Sequence, residues 1–125
     1  MRRSEGSAVV WGFPDCHESA SCRNFLKDLD SFLADKYQPR VVFDLSTVQT
    51  MNALSIDLLL TCVMRISSRD GELRLASAST QTSLVLELTQ LNQVVEVFPT
   101  VADATSSFDA PYFQEKLGES RGRAV

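Results

Sequence analysis

Long apolar segments, histidine and an excess of basic charge are what this chain of 125 residues lacks most clearly. No apolar run approaches the roughly 20 residues that a membrane-spanning helix needs. Residues 1–6 are polar and lack the apolar core of a secretory signal peptide. We therefore expect a cytoplasmic protein without direct membrane insertion. The net charge of −4 argues against nucleic acid as a partner, because nucleic-acid binders present a basic face.

Residues for metal binding or catalysis are equally scarce. The three cysteines are odd in number and form no recognisable disulfide framework. Cys16, His17 and Cys22 match no common zinc spacing, and no second ligand pair follows them. The sequence contains no phosphate-binding loop, dinucleotide-binding glycine motif or nucleophile elbow. We therefore predict no metal, no cofactor, no catalytic residue and no enzymatic activity.

Apolar runs that alternate with amphipathic segments are the main positive signal. They predict four strands, over residues 8–13, 41–45, 73–76 and 94–98, and four helices, over residues 18–36, 53–68, 80–91 and 101–108. This alternation predicts an α/β fold with a four-stranded, mostly parallel or mixed sheet. A single domain is expected over residues 1–117, followed by a polar, disordered tail over residues 118–125.

Four local features carry further expectations. The helix over 53–68 is apolar nearly all round, which predicts that it is mostly buried. Trp11 and Phe13 are expected to cover the core, with an exposed docking patch as the alternative. Gly71 suits the left-handed position after that helix. Asp44 ends a central strand at its carboxyl edge, where it either hydrogen-bonds the adjoining loop or contacts a partner.

Several motifs together resemble the STAS domains of anti-sigma factor antagonists. They are VVFDLSTV at 41–48, GELRLA at 71–76, LELTQLNQVVEVFPT at 86–100 and VADA at 101–104. The resemblance covers residues 8–108 and implies a STAS-like fold with its helices mainly on one face. The first strand of the family looks shortened or missing, because little precedes residue 8.

The family's phosphorylation motif is degenerate in this chain. In the antagonists, an Asp-Ser-Ser-Gly motif opens the second helix, and an anti-sigma factor that is also a serine kinase phosphorylates its first serine. The matching residues here are Asn52, Ala53, Leu54 and Ser55. Alanine has no hydroxyl, so the resemblance implies a non-catalytic interaction module that is not regulated by phosphate at residue 53. Ser55 is the candidate alternative phosphosite, although a role as a helix-capping or first-turn residue is the favoured interpretation.

The resemblance also implies where a protein partner binds. The predicted surface combines the loop after the second strand with the start of the next helix, namely Ser46, Thr47, Thr50, Asn52, Ala53, Leu54, Ser55 and Asp57. The partner is an anti-sigma factor kinase or a scaffold protein, in bacterial transcription regulation, and a homodimer stays open. Two alternatives also stay open: a cytoplasmic subunit or regulator of a membrane transporter for lipids or anions, and a STAS domain that binds a nucleotide or another small ligand.

Overall fold

Short runs of β-branched and aromatic residues form the central strands, because such side chains pack well on a sheet that is buried on both faces. The structure is a computed structural model and describes residues 2–5 and 8–108. Its five strands are hydrogen-bonded in chain order: β1 (Arg2–Glu5), β2 (Ala8–Gly12), β3 (Arg40–Asp44), β4 (Glu72–Ala76) and β5 (Glu96–Phe98). Strands β2 to β5 run parallel, which confirms the predicted α/β class and the four predicted strands.

Strand β1 is the element that the sequence interpretation missed. It pairs antiparallel with β2, with Arg2 opposite Trp11 and Glu5 opposite Ala8. Its sequence, RRSE, has no apolar residue, so neither alternation nor β propensity marks it. The expectation that little precedes β2 was therefore incomplete, since an antiparallel edge strand lies there.

Four α-helices connect and flank the strands. They are α1 (Ser19–Leu33), α2 (Ala53–Ser67), α3 (Thr80–Leu88) and α4 (Val101–Ser106). A short 3₁₀ helix, Leu91–Gln93, follows α3 where the sequence predicted the end of that helix. The last strand therefore begins at Glu96 rather than at residue 94. Within residues 2–5 and 8–108, no helix is long and apolar enough to cross a membrane. The predicted domain end at residue 117 and the predicted tail lie outside the described residues.

Alternation along β3 distributes the core between the two faces of the sheet. Val41 and Phe43 belong to the larger core, which α1, α2 and α3 cover, whereas Val42 belongs to a smaller core beneath α4. Trp11 and Phe13 are buried in the larger core, which confirms that they cover the core. Helices therefore lie mainly on one face, as the family resemblance implies.

Helix α2 is less buried than its composition predicts. Its inner side is buried through Leu58, Leu59, Cys62 and Ile66. The side chain of Met64 is nevertheless 70% exposed, and Leu60 is also exposed. The expectation that this helix is mostly buried was wrong for its outer face, because no described element packs over that side.

The turn after α2 uses its glycine for close packing. Asp70, with φ 56°, occupies the left-handed region that was predicted for Gly71. A Cβ atom on Gly71 would lie 2.6 Å from the backbone oxygen of Pro39. Glycine is required here because the backbone of the loop before β3 approaches this turn so closely.

Candidate partner-binding surface

The loop between β3 and α2 begins with a turn that Asp44 stabilises. Its Oδ1 accepts a hydrogen bond from the backbone N–H of Ser46 at 3.0 Å. The N–H of Leu45 donates to the carbonyl of Ala76 at 2.9 Å, which fixes the loop to β4. Asp44 therefore hydrogen-bonds its adjoining loop, as the first of its two interpretations predicts. The turn leaves Ser46 exposed at the carboxyl edge of the sheet.

Contacts with the segment after β2 fix the rest of the loop. Val48 and Met51 are buried in the larger core and hold the loop against the sheet. Three hydrogen bonds join the loop to residues 13–16: Thr47 Oγ1 to the Phe13 carbonyl at 3.5 Å, Gln49 N to Asp15 Oδ1 at 3.2 Å, and Asn52 Nδ2 to the Cys16 carbonyl at 2.8 Å. The loop is thus tied to the scaffold along most of its length.

Asn52 connects this loop to helix α2. It is the N-cap residue, and its Oδ1 accepts from the backbone N–H of Ser55 at 3.0 Å. The hydroxyl of Ser55 donates to the same oxygen at 3.1 Å. The amide of Asn52 therefore caps the helix with its oxygen and holds the loop with its nitrogen.

The predicted surface residues lie close together but differ in exposure. Ser46, Thr47, Thr50, Ala53 and Asp57 are exposed, Asn52 and Leu54 are half-buried, and Ser55 is buried. The exposed group follows the carboxyl edge of the sheet into the first turns of α2. This is the edge where open α/β sheets present their binding sites.

The position of Ser55 bears on its suggested role as a phosphosite. Its side chain is 0% exposed, and its hydroxyl is engaged by the cap residue Asn52. A kinase needs access to the hydroxyl, and the folded helix does not offer it here. The geometry therefore favours the interpretation of Ser55 as a first-turn residue that hydrogen-bonds the cap residue Asn52.

A groove between α1 and α2 continues this surface along the helices. It has a volume of about 200 Å³ and is lined by Ser19, Cys22, Arg23 and Leu26 of α1 and by Leu54, Asp57, Leu58 and Thr61 of α2. An ion pair between Asp30 and Arg65 joins the two helices farther along. The groove depends on the separation of two helices, which no local sequence pattern reports.

The three thiols differ sharply in their surroundings. Burial is the main cause that raises the pKa of the Cys16 thiol to about 12, and it is also the main cause that raises the pKa of the Cys62 thiol to about 12. A hydrogen bond with Cys22 adds to the shift of Cys16. Cys22 itself is half-buried and lines the groove, so it is the thiol that reagents from solvent can reach.

A second cavity lies at the opposite end of the strands, where β4 and β5 begin. It has a volume of about 260 Å³ and is lined by Gly71–Arg74 at the start of β4, by Val94–Glu96 at the start of β5, and by Val63 and Ser67 of α2. A nucleotide site of the kind considered above is expected at the carboxyl ends of the strands. This cavity is at the amino ends and is smaller than typical ligand pockets, which begin at about 300 Å³.

Comparison with known proteins now decides the family. The model of the STAS domain matches residues 19–104, which is more than half of the chain. The chain belongs to the STAS domain family. A Thermotoga maritima protein that is provisionally named an anti-sigma factor antagonist is 29% identical over 75 residues. The match spans 60% of this STAS chain and 66% of that relative, just under two thirds of its length.

Solved structures support the STAS fold. A crystal structure of a Thermotoga maritima protein, provisionally named an anti-sigma factor antagonist, has a TM-score of 0.74 at 23% identity, over 86% of this chain and 92% of that one. An anti-sigma factor antagonist (STAS) domain protein from Planctomyces limnophilus has a TM-score of 0.76 at 20% identity, over 88% and 97%. An anti-sigma factor antagonist from Mycobacterium paratuberculosis has a TM-score of 0.71 at 17% identity, over 86% and 90%. At these identities, the likeness shows the fold alone.

Proposed function

We propose that this STAS protein is a non-catalytic interaction module that binds an anti-sigma factor, or a scaffold protein of the same system, through the loop over 45–52 and the first turns of α2. The exposed residues at this edge lie on a loop that the core and three hydrogen bonds hold in place. A preformed surface of this kind costs little ordering entropy when a partner binds. The similarity to an anti-sigma factor antagonist supports this class of partner.

Ala53 is the single observation that carries the proposed mode of regulation. It is exposed in the first turn of α2, directly after the cap residue Asn52. A phosphate at this point of a helix would be stabilised by free backbone N–H groups and by the helix dipole, but alanine cannot accept one. Ser55 could not replace it without opening the helix. Phosphorylation at residue 53 therefore does not control binding of the partner, and binding is constitutive in this sense.

A charged, bulky substitution at the centre of the surface tests its location. We expect Ala53→Arg to weaken binding of a purified anti-sigma factor by about tenfold or more, because the new side chain would stand where the partner must approach; tenfold corresponds to about 1.4 kcal/mol. Titration calorimetry measures the change, with an anti-sigma factor from the same organism that binds the wild-type chain. The melting temperature should fall by no more than a few degrees, since residue 53 is exposed and a cation in the first turn of a helix costs about 0.3–1 kcal/mol.

The matched control is Ser67→Arg, at the other end of the same helix, where residue 67 is also exposed. This variant should bind as the wild-type chain does. If Ala53→Arg binds with unchanged affinity, the surface lies elsewhere. If no anti-sigma factor of the organism binds the wild-type chain, the class of partner is wrong.

A further inference from the structure

We propose that the groove between α1 and α2 receives aliphatic side chains of the protein partner, and that Leu54 sets the specificity of this chain for that partner. The inference rests on the proposed function and adds to it a second, apolar contact region with a defined chemistry. The partner's contact segment is then expected to be amphipathic, with aliphatic side chains on the face that contacts the groove.

Spacing on the two helices gives the groove its shape. Each wall contributes positions i, i+3, i+4 and i+7: residues 19, 22, 23 and 26 of α1 and residues 54, 57, 58 and 61 of α2. Residues at these steps form one stripe on a helix. Two such stripes side by side form the kind of groove that accepts the apolar face of a partner helix.

The floor and the rim of the groove differ in polarity. Cys22, Leu26, Leu54 and Leu58 supply an apolar lining. Arg23 and Asp57 stand on opposite walls, and both are exposed. A segment with an acidic residue toward α1 and a basic residue toward α2 would complement this rim and orient the aliphatic side chains between them. A volume of about 200 Å³ suits aliphatic side chains and is below the size of typical small-molecule pockets.

Leu54 connects the groove to the proposed binding surface. It lies in the first turn of α2 beside Ala53, and it lines the groove. The family motif has a serine at this position, so this chain replaces a polar group by an apolar one at the entrance. The thiol of Cys22 lies 4.0 Å from the Leu54 carbonyl, which places Cys22 beside the entrance as a built-in reporter.

Protection of Cys22 from alkylation tests the inference. The full chain is treated with N-ethylmaleimide alone and with a saturating amount of a purified anti-sigma factor, and labelling of each cysteine is followed by peptide mass spectrometry. In the free protein, Cys22 should react first, because Cys16 and Cys62 are 0% exposed and have a pKa of about 12. In the complex, labelling of Cys22 should slow by about tenfold or more.

Three variants make this result specific. Tyr37→Cys places a thiol at a site that is 77% exposed, just beyond the far end of α1, and its labelling rate should not change in the complex. Leu54→Ser restores the family residue and should weaken binding about tenfold, whereas Leu54→Met, which keeps an aliphatic chain, should retain the wild-type affinity. Circular dichroism checks that each variant folds. The protection of Cys22 is measured in the native chain and so does not depend on whether the variants fold.

The outcomes separate this inference from the proposed function. Tight binding with unprotected Cys22, or wild-type affinity in a folded Leu54→Ser variant, would overturn the inference and leave the proposed function standing. The absence of any binding to anti-sigma factors would overturn both. Protection of Cys22 that appears when the chain alone is concentrated would overturn it in favour of a second copy as the occupant.

Discussion

Replacing Asn52 with alanine is expected to lower the free energy of unfolding by about 2–4 kcal/mol. An N-cap amide contributes about 1 kcal/mol, and a buried acceptor left without its donor costs about 1–3 kcal/mol. Alanine at this position removes the cap of α2, the acceptor for the Ser55 hydroxyl and the donor to the Cys16 carbonyl. Urea denaturation measures the change. Partner affinity should fall as well, because the loop over 45–52 loses one of its three hydrogen bonds to residues 13–16.

Two further variants separate the functions of this amide. Asn52→Asp, which restores the family residue, keeps an acceptor oxygen for the N–H and hydroxyl of Ser55 but has no donor for the Cys16 carbonyl, so its loss should be smaller than that of alanine. Asn24→Ala replaces an exposed asparagine on α1 and should stay within about 0.5 kcal/mol of the wild-type chain. A loss below about 1 kcal/mol for Asn52→Ala would contradict the role of Asn52 in joining loop and helix.

Phe108→Ala is expected to cost about 3–5 kcal/mol, as does the truncation of other buried phenylalanines. Phe108 is buried after α4 in the smaller core. Its ring centroid lies 3.9 Å from the guanidinium carbon of Arg74, and its carbonyl accepts from Arg40 Nη1 at 3.2 Å. The ring thus covers a buried arginine as well as apolar strand residues, and its removal exposes both to water.

Phe108→Leu distinguishes packing from the interaction between cation and ring. Leucine keeps much of the apolar volume but cannot attract the guanidinium, so we expect a loss of about 1–2 kcal/mol. Glu72 and Glu96, whose carboxylates lie 3.7 and 3.8 Å from the Arg74 guanidinium, are both retained in this variant. Equal stability of the wild-type chain and Phe108→Ala would show that α4 does not cover this face in solution.

The four parallel strands and four helices were predictable because each carries its own apolar period. The run over 41–45 is rich in apolar residues on both faces, as a strand under crossover helices must be, whereas the run over 73–76 alternates its leucines with Arg74 and Ala76. Strand β1 was not predictable in this way, since its four residues are all polar and its place depends on pairing with β2. The outer face of α2 also escaped prediction: apolar composition reports what a helix can bury, whereas Met64 is exposed because no described element lies over it.

The candidate surface could be located from sequence only through the family resemblance. That resemblance placed Asn52 and Ala53 at the start of α2, where the structure has them. It could not show that Ser55 is buried against its cap, because burial depends on how the helix sits on the sheet. The groove was likewise beyond local patterns, since its two walls are about 30 residues apart in the chain.

The measurement that bears most directly on constitutive binding is a phosphorylation assay with the partner itself. The chain is incubated with ATP and a purified anti-sigma factor kinase that binds it, and intact mass and affinity are recorded before and after. A STAS relative with an intact Asp-Ser-Ser-Gly motif serves as the positive control for kinase activity. We expect no added phosphate on this chain and an unchanged dissociation constant, because Ala53 offers no hydroxyl. Phosphate on Ser46, Thr47, Thr50 or Ser55, together with weakened binding, would contradict this.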